Sequence, residues 1–117
     1  MADLYSKGLA KVPNLELQIE KHWTKSVFWM YALRVMKGSK VSKDQLRKRL
    51  YKLGIDTRDL FYPLHKQPAL RKLGLFKNEK YPVSTDLSER GFYIPSGLAL
   101  SERQIIKVID AVKKAVS

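Results

Sequence analysis

The sequence GIDTRDLFYPLHKQP, residues 54–68, is the stretch around which the rest of the chain is organised. It begins with a glycine suited to end a helix and continues with a short apolar and aromatic run. Pro63 and Pro68 limit how far a helix or strand can extend through it. Its polar side chains are therefore expected at a strand end or in a loop, where binding residues concentrate. The candidates able to bind an anion or a hydroxyl group are Arg58, Tyr62, His65 and Gln67.

The apolar segment upstream, residues 27–35 (VFWMYALRV), predicts a β-strand because it is rich in β-branched and aromatic residues. Alternation assigns Val27, Trp29, Tyr31, Leu33 and Val35 to one face, and Phe28, Met30 and Ala32 to the other. Both faces are apolar. The strand is therefore either buried by the chain's own helices or covered on its second face by something else.

Two capping boxes mark helix starts. The first, residues 42–45 (SKDQ), opens a helix with Leu46, Leu50 and Leu53 on one face, and Gly54 is suited to a left-handed C-cap. The second, residues 101–104 (SERQ), opens the C-terminal helix. Its apolar face is expected to contain Ile105, Ile109, Val112 and Val116, reinforced by Ile106 and Val108.

The remaining elements are short, because Pro, Gly and Asn interrupt the apolar periodicity. We expect the last turns of a helix at 4–9, an edge strand or an extended linker at 15–19, a helix at 68–73, an extended segment at 81–83, a helix at 84–90 and a strand at 92–94.

Length and composition predict one soluble globular domain. The chain has 117 residues, 44% of them hydrophobic and 29% charged. It contains no cysteine, which excludes disulfides and thiolate metal sites. No apolar run approaches the roughly 20 residues of a membrane-spanning helix, and no secretory signal is visible. We therefore expect a cytoplasmic protein without a membrane partner.

The positive charge is concentrated in the middle of the chain. The formal net charge is +12, and residues 34–80 contain 14 basic and 4 acidic residues, a net charge of +10. Such a segment raises the local concentration of anionic partners. Nucleic acid, acidic lipid, a nucleotide diphosphate and an acidic protein all fit this charge.

The residue patterns of most enzymes are absent. The sequence has no phosphate-binding glycine loop and no nucleophile elbow. Its two histidines, His22 and His65, are too far apart to form a helical metal pair, so no metal site is expected. A lone histidine beside a proline and aromatics is more often structural than a catalytic base. No lysine lies in an apolar segment that would lower its pKa for Schiff-base chemistry.

An ordered series of motifs nevertheless resembles one family. It comprises residues 28–31 (FWMY), 53–58 (LGIDTR), 61–68 (FYPLHKQP), 81–83 (YPV), 87–91 (LSERG) and 94–97 (IPSG), followed by the closing helix. Over roughly residues 20–116 this series resembles the C-terminal part of the pyridoxal-phosphate-dependent sugar aminotransferases, the DegT/DnrJ/StrS group.

The resemblance implies an α+β fold: a small antiparallel sheet with helices packed on one side, like the C-terminal domain of fold-type I transferases. It divides the single domain, residues 1–117, into a lead-in at 1–20 and an aminotransferase-like part at 21–117. The family transfers an amino group to a keto-sugar attached to a nucleotide diphosphate. In family members the histidine of the Pro-x-His motif lies near the sugar, so the resemblance implies this role for His65 and, by extension, for Arg58 and Tyr62.

The cofactor lysine and most phosphate contacts of the family lie in its large domain. The resemblance therefore implies no catalytic residue, no cofactor site and no transaminase activity within these 117 residues, and pyridoxal phosphate only in the full-length enzyme. The expected partner is that large domain or a second copy of the chain. The alternative is a free-standing basic module that binds nucleic acid or another polyanion.

Overall fold

A four-stranded antiparallel sheet with strand order β1-β2-β4-β3 organises the chain. The structure, a computed structural model, describes all residues 1–117. Its elements are α1 (Ala2–Leu9), β1 (Leu15–Leu17), β2 (Tyr31–Val35), α2 (Lys43–Lys52), β3 (Arg58–Asp59), the 3₁₀ helix η1 (Leu64–Lys66), α3 (Pro68–Lys72), α4 (Pro82–Arg90), β4 (Gly91–Ile94) and α5 (Glu102–Val116). The predicted α+β class is confirmed. No helix is long and apolar enough to cross a membrane.

The inner face of the sheet forms the core. Register pairs Tyr31 with Ile94 and Leu33 with Phe92, and all four side chains are buried. Helices α1, α2 and α5 supply the other half of this core. Their fully buried residues include Tyr5, Leu9, Leu46, Leu50 and Val112. Burial raises the pKa of Tyr5 to about 12, and its hydroxyl donates to the Pro95 carbonyl at 2.7 Å.

Local signals placed the two longest helices correctly. Both predicted capping boxes form, at Ser42 with Gln45 and at Ser101 with Gln104. Gly54 follows α2 with φ +76°, the left-handed conformation predicted for it. One prediction about α5 is wrong: Ile106, which was expected to reinforce the buried face, is 47% exposed.

The strand predicted at residues 27–35 is shorter in the structure and begins four residues later than predicted. Strand β2 begins at Tyr31, because its partner β4 ends at Ile94 before Pro95, which has no N–H to donate. The Tyr31 N–H instead donates to Ser96 Oγ at 2.8 Å. Phe28 has φ +44° and stacks on Tyr31 at 5.8 Å, so it does not lie on the second face.

The remaining short elements are mostly confirmed. An edge strand does form near 15–19, but it ends at Leu17, and Ile19 is 78% exposed. The expected extended segment at 81–83 is wrong. Helix α4 begins at Pro82, because a proline at the first helical position has no N–H to leave unsatisfied.

Candidate functional site

The outer face of the sheet, opposite α1, α2 and α5, is only partly covered. Register places Ala32 beside Tyr93 and Arg34 beside Gly91 on this face. The face is therefore partly polar, unlike the doubly apolar strand of the sequence prediction. Two adjoining cavities of about 680 Å³ and 580 Å³ lie here and share Leu60 and Leu87 in their walls.

Gly91 allows the chain to cross this face closely. A Cβ at Gly91 would overlap the Leu60 side chain and approach the Leu87 carbonyl oxygen to 2.5 Å. Any residue can adopt the φ of −97° found at Gly91. Glycine is therefore needed here because a side chain would not fit, and not because of its backbone conformation. The absent side chain lets the segment after β3 pack against the end of α4.

Helix α4 is attached to the sheet by charges. Asp86 receives hydrogen bonds from Arg90 of its own helix and from Arg34 of β2, the latter at 3.2 Å. Arg34 also pairs with Glu16 of β1. The Arg90 hydrogen bonds outweigh partial burial and, with the charges of Arg90, Lys37 and Arg34, hold the pKa of Asp86 below its ordinary value.

The 3₁₀ helix η1 packs against the start of α4. His65 Nε2 lies 3.0 Å from Thr85 Oγ1, and the His65 ring lies 5.0 Å from the Tyr81 ring, centroid to centroid. The Lys66 ammonium pairs with Glu89 at 2.8 Å. Pro63, immediately before η1, is buried. The Pro-x-His motif is therefore held against α4, beside the second cavity.

The three predicted site residues lie on one segment but do not contact one another through hydrogen bonds. Arg58 is in β3, exposed and without an ion pair. Tyr62 is 56% exposed, and its carbonyl accepts from Gln67 Nε2 at 3.3 Å. His65 is half-buried in η1. Arg58 lies in a short strand and Tyr62 in a loop, close to the expected positions, whereas His65 lies in a 3₁₀ helix. The role of all three in binding remains a prediction.

An aromatic column on the outer face was missed by the sequence analysis. Trp29 stacks on Phe61 with ring centroids 6.3 Å apart and planes at 18°, and Phe61 meets Tyr93 edge-on at 6.3 Å. The sequence prediction places Trp29 within a strand, on the same face as Tyr31 and Leu33. It also treats residues 81–83 as extended, so it does not bring Tyr81 to the second cavity, which this residue lines. Pro82 was the one local signal for the position of Tyr81, because proline favours the first position of a helix and Tyr81 precedes it.

Comparison with known proteins identifies the family. The sequence model of the DegT/DnrJ/EryC1/StrS aminotransferase family matches residues 1–113. The chain belongs to this family. GDP-perosamine synthase of Escherichia coli O157:H7 is 30% identical over the whole chain, and that of Caulobacter vibrioides is 29% identical over 96% of it. The chain spans about 30% of the length of these relatives.

Solved structures share the fold. DesV of S. venezuelae superimposes with a TM-score of 0.80 and 27% identity, covering 99% of this chain and 30% of DesV. The sugar aminotransferase Spr1654 of Streptococcus pneumoniae, in its PMP form, gives a TM-score of 0.81 at 24% identity, covering 98% of this chain and 29% of its own. The resemblance first noted from the motifs is thus confirmed at the level of family and fold.

The lysines of residues 1–117 do not fit a covalent site for pyridoxal phosphate, the cofactor of this family. Such a lysine needs a desolvated environment that lowers its pKa. Every lysine here is exposed except Lys43 and Lys66, which are half-buried. Both are held by carboxylates, Lys43 by Asp59 at 2.7 Å and Lys66 by Glu89.

Replacing Asp86 tests the charges that attach α4 to the sheet. Asp86→Asn leaves Arg34 and Arg90 without their shared carboxylate, so we expect the free energy of unfolding at pH 7 to fall by about 1 kcal/mol. Because the pKa of Asp86 is lowered on folding, its contribution is complete above the ordinary value of 3.8 and is lost as pH falls below it. Urea unfolding between pH 7 and pH 3 measures both effects.

Asp110→Asn is the matched control, since Asp110 is exposed on α5 and forms no ion pair. We expect it to leave the stability at pH 7 within about 0.5 kcal/mol of the unsubstituted protein. Equal stability of the two variants at pH 7 would contradict a structural role for the Asp86 network.

Proposed function

We propose that residues 1–117 form the substrate-side domain of a pyridoxal-phosphate-dependent aminotransferase that acts on nucleotide-linked keto-sugars. The product class is an amino sugar for cell-surface polysaccharides or related compounds. The observation that carries this proposal is the family match over residues 1–113. The relatives named GDP-perosamine synthase support a nucleotide-linked sugar, and GDP is the first nucleotide to test.

His65 is the residue we assign to the sugar side of the site. Its Nε2 hydrogen bond to Thr85 and its contact with Tyr81 fix the ring beside an open cavity. A fixed imidazole can donate to or accept from a sugar hydroxyl without an ordering cost. Arg58 and Tyr62 extend this role along the same segment, because both side chains are exposed and Arg58 has no competing carboxylate.

The cofactor and its chemistry belong to other residues of the complete enzyme. Holding pyridoxal phosphate covalently needs a buried lysine, together with a separate residue that pairs with the pyridine nitrogen of the cofactor, and residues 1–117 offer no such lysine. We therefore propose that this polypeptide alone has no transaminase activity. A large aminotransferase domain, or a second copy of the chain together with it, would complete the site across the outer face.

A hybrid enzyme tests this function. The segment of the E. coli GDP-perosamine synthase matched by this chain would be replaced with residues 1–117, and amino transfer to its GDP-linked keto-sugar would be followed. We expect an active hybrid, with kcat/KM reduced about tenfold or more by His65→Ala, the usual cost of losing a hydrogen bond to a bound substrate. A folded hybrid without activity would contradict the proposal.

Two variants separate substrate contact from loop packing. His65→Gln can keep a hydrogen bond to Thr85 while it removes the imidazole, so it should lose activity like His65→Ala if the ring contacts the sugar. His22→Ala is the matched control, because His22 is the second of the two histidines and is exposed. The 117-residue polypeptide alone, given pyridoxal phosphate and substrates, should yield neither product nor a borohydride-stable lysine adduct.

A second candidate function rests on the uncompensated positive charge. Of the 14 basic residues in 34–80, five pair with carboxylates. These are Arg34, Lys37, Lys43, Arg47 and Lys66. The other nine leave a strongly positive surface that a polyanion such as nucleic acid could use.

A salt titration distinguishes non-specific electrostatic attraction of polyanions from a specific nucleic-acid-binding surface. We expect a labelled single-stranded oligonucleotide to bind weakly, with affinity that falls steeply as NaCl rises. Lys48→Glu/Lys52→Glu on α2 should weaken it no more than Lys7→Glu/Lys21→Glu, which changes the net charge equally elsewhere. Tight binding at physiological salt that only the α2 pair abolishes would favour the nucleic-acid function instead.

A further inference from the structure

A hydrogen bond to α4 fixes the ring of His65. Thr85 Oγ1 lies 3.0 Å from His65 Nε2, and both residues are half-buried. The Thr85 N–H is bonded to the Tyr81 carbonyl at 3.0 Å, so the helix holds the backbone of Thr85 in place. A threonine in a helix also has few side-chain rotamers. The hydroxyl is therefore a fixed point to which the imidazole is attached.

The Tyr81 ring lies against the same imidazole. The two ring centroids are 5.0 Å apart, and the ring planes meet at 36°. Tyr81 is held in turn, because its hydroxyl donates to Glu79 and its ring meets Phe76 edge-on at 6.1 Å. The terminal torsion of a histidine side chain has a broad energy profile, so an unrestrained imidazole rotates readily. Thr85 and Tyr81 together restrict that rotation.

The second ring nitrogen of His65, Nδ1, is the one left for a ligand. It forms no hydrogen bond within the chain, whereas every shielded side-chain nitrogen or oxygen of a buried or half-buried residue has a hydrogen-bond partner. Nδ1 is therefore reachable from solvent. The hydrogen bond made by one nitrogen of an imidazole determines what the other nitrogen can offer. The contact with Thr85 thus decides how His65 meets a ligand.

The bond to Thr85 is not the only link between η1 and α4. Lys66, the next residue of η1, pairs with Glu89 at 2.8 Å, one helical turn beyond Thr85. Pro63, immediately before η1, is buried. These contacts hold the segment without involving the imidazole. The specific effect of the Thr85 hydroxyl is therefore on the ring of His65 and not on the position of η1.

We propose that Thr85 is a positioning residue for His65: it accepts a hydrogen bond from Nε2 and so presents Nδ1 to the sugar. Neutral histidine carries its proton on Nε2 in preference to Nδ1 when no contact opposes this, and a hydroxyl oxygen can accept the resulting hydrogen bond. Nδ1 is then a hydrogen-bond acceptor, which suits a hydroxyl group of the sugar. This inference rests on the proposed function, because it assigns one atom of His65, and the residue that orients it, to the substrate contact.

The ring nitrogens of His65 test the orientation in the isolated chain. The chain has two histidines, so His22→Ala identifies the ring signals of each. Long-range ¹H–¹⁵N NMR spectra are recorded at about pH 9, where an ordinary imidazole is neutral. We expect the proton of His65 to lie on Nε2 more completely than the proton of His22, which is exposed. Thr85→Val removes the acceptor and should bring His65 to the ratio of tautomers shown by His22, whereas Thr85→Ser should keep the proton on Nε2.

Kinetics of the hybrid enzyme test whether the orientation matters to the reaction. Thr85→Val should lower kcat/KM about fivefold, because an unrestrained ring must be ordered when the substrate binds. Thr85→Ser should keep kcat/KM within about twofold of the unsubstituted hybrid. Combined with His65→Ala, Thr85→Val should add no further loss, since Thr85 acts only through the imidazole.

Glu89→Gln is the matched control. It breaks the pair with Lys66 and leaves the Thr85 hydroxyl in place. We expect kcat/KM of this hybrid to stay within about twofold of the unsubstituted one. Thermal unfolding checks that each hybrid is folded.

Three outcomes overturn the inference. The first is a His65 proton on Nδ1, or a tautomer ratio that Thr85→Val does not change. The second is an active hybrid whose kcat/KM falls with His65→Ala but not with Thr85→Val, and this outcome leaves the proposed function intact. The third is an equal loss from Thr85→Val and Glu89→Gln, which identifies a tether of η1 and not an orienting contact. A hybrid that is inactive, while Thr85→Val shifts the His65 tautomers, refutes only the proposed function.

Discussion

The antiparallel pairing of β2 with β4 is the constraint on which the rest of the structure depends. The two strands are joined in one register over four residue pairs, and successive side chains alternate between faces. That register buries Tyr31, Leu33, Phe92 and Ile94 under α1, α2 and α5 and leaves Arg34, Tyr93 and Gly91 on the outer face. A shift by one residue would exchange the two faces, so the core and the candidate site are fixed by the same hydrogen bonds.

The inner and outer faces of the sheet differ in what packs against them. On the inner face, α1, α2 and α5 bury a continuous apolar cluster. On the outer face, Gly91 admits Leu60, the Asp86 network attaches α4, and η1 is held by His65 and Lys66. The result is a rigid scaffold under an open, concave surface, which is the arrangement expected where a ligand or a further domain completes a site.

The sequence predicted the features that depend on neighbouring residues. Capping boxes and the spacing of apolar residues located α2 and α5. The two prolines of residues 54–68 correctly limited regular structure around His65 to short elements. The start of β2 was not predictable from its own residues, because it depends on Pro95 and Ser96, which lie more than 60 positions later. The aromatic column was missed for the same reason: Trp29 and Phe61 are distant in sequence, and only the tertiary structure brings them together. The start of α4 was an avoidable error, because Pro82 is a typical first residue of a helix.

The central claim is that the outer face borders the substrate site of the complete enzyme. Hydrogen exchange tests it by comparing the isolated chain with the same residues in the hybrid enzyme. Completing the enzyme should protect amides of β3, η1 and the first turn of α4, because these segments would then border the substrate and the rest of the site. The amides of α2 and α5 should exchange as in the isolated chain. New protection confined to α2 and α5 would contradict the account, since it would place the functional contact on the basic, helical side of the domain.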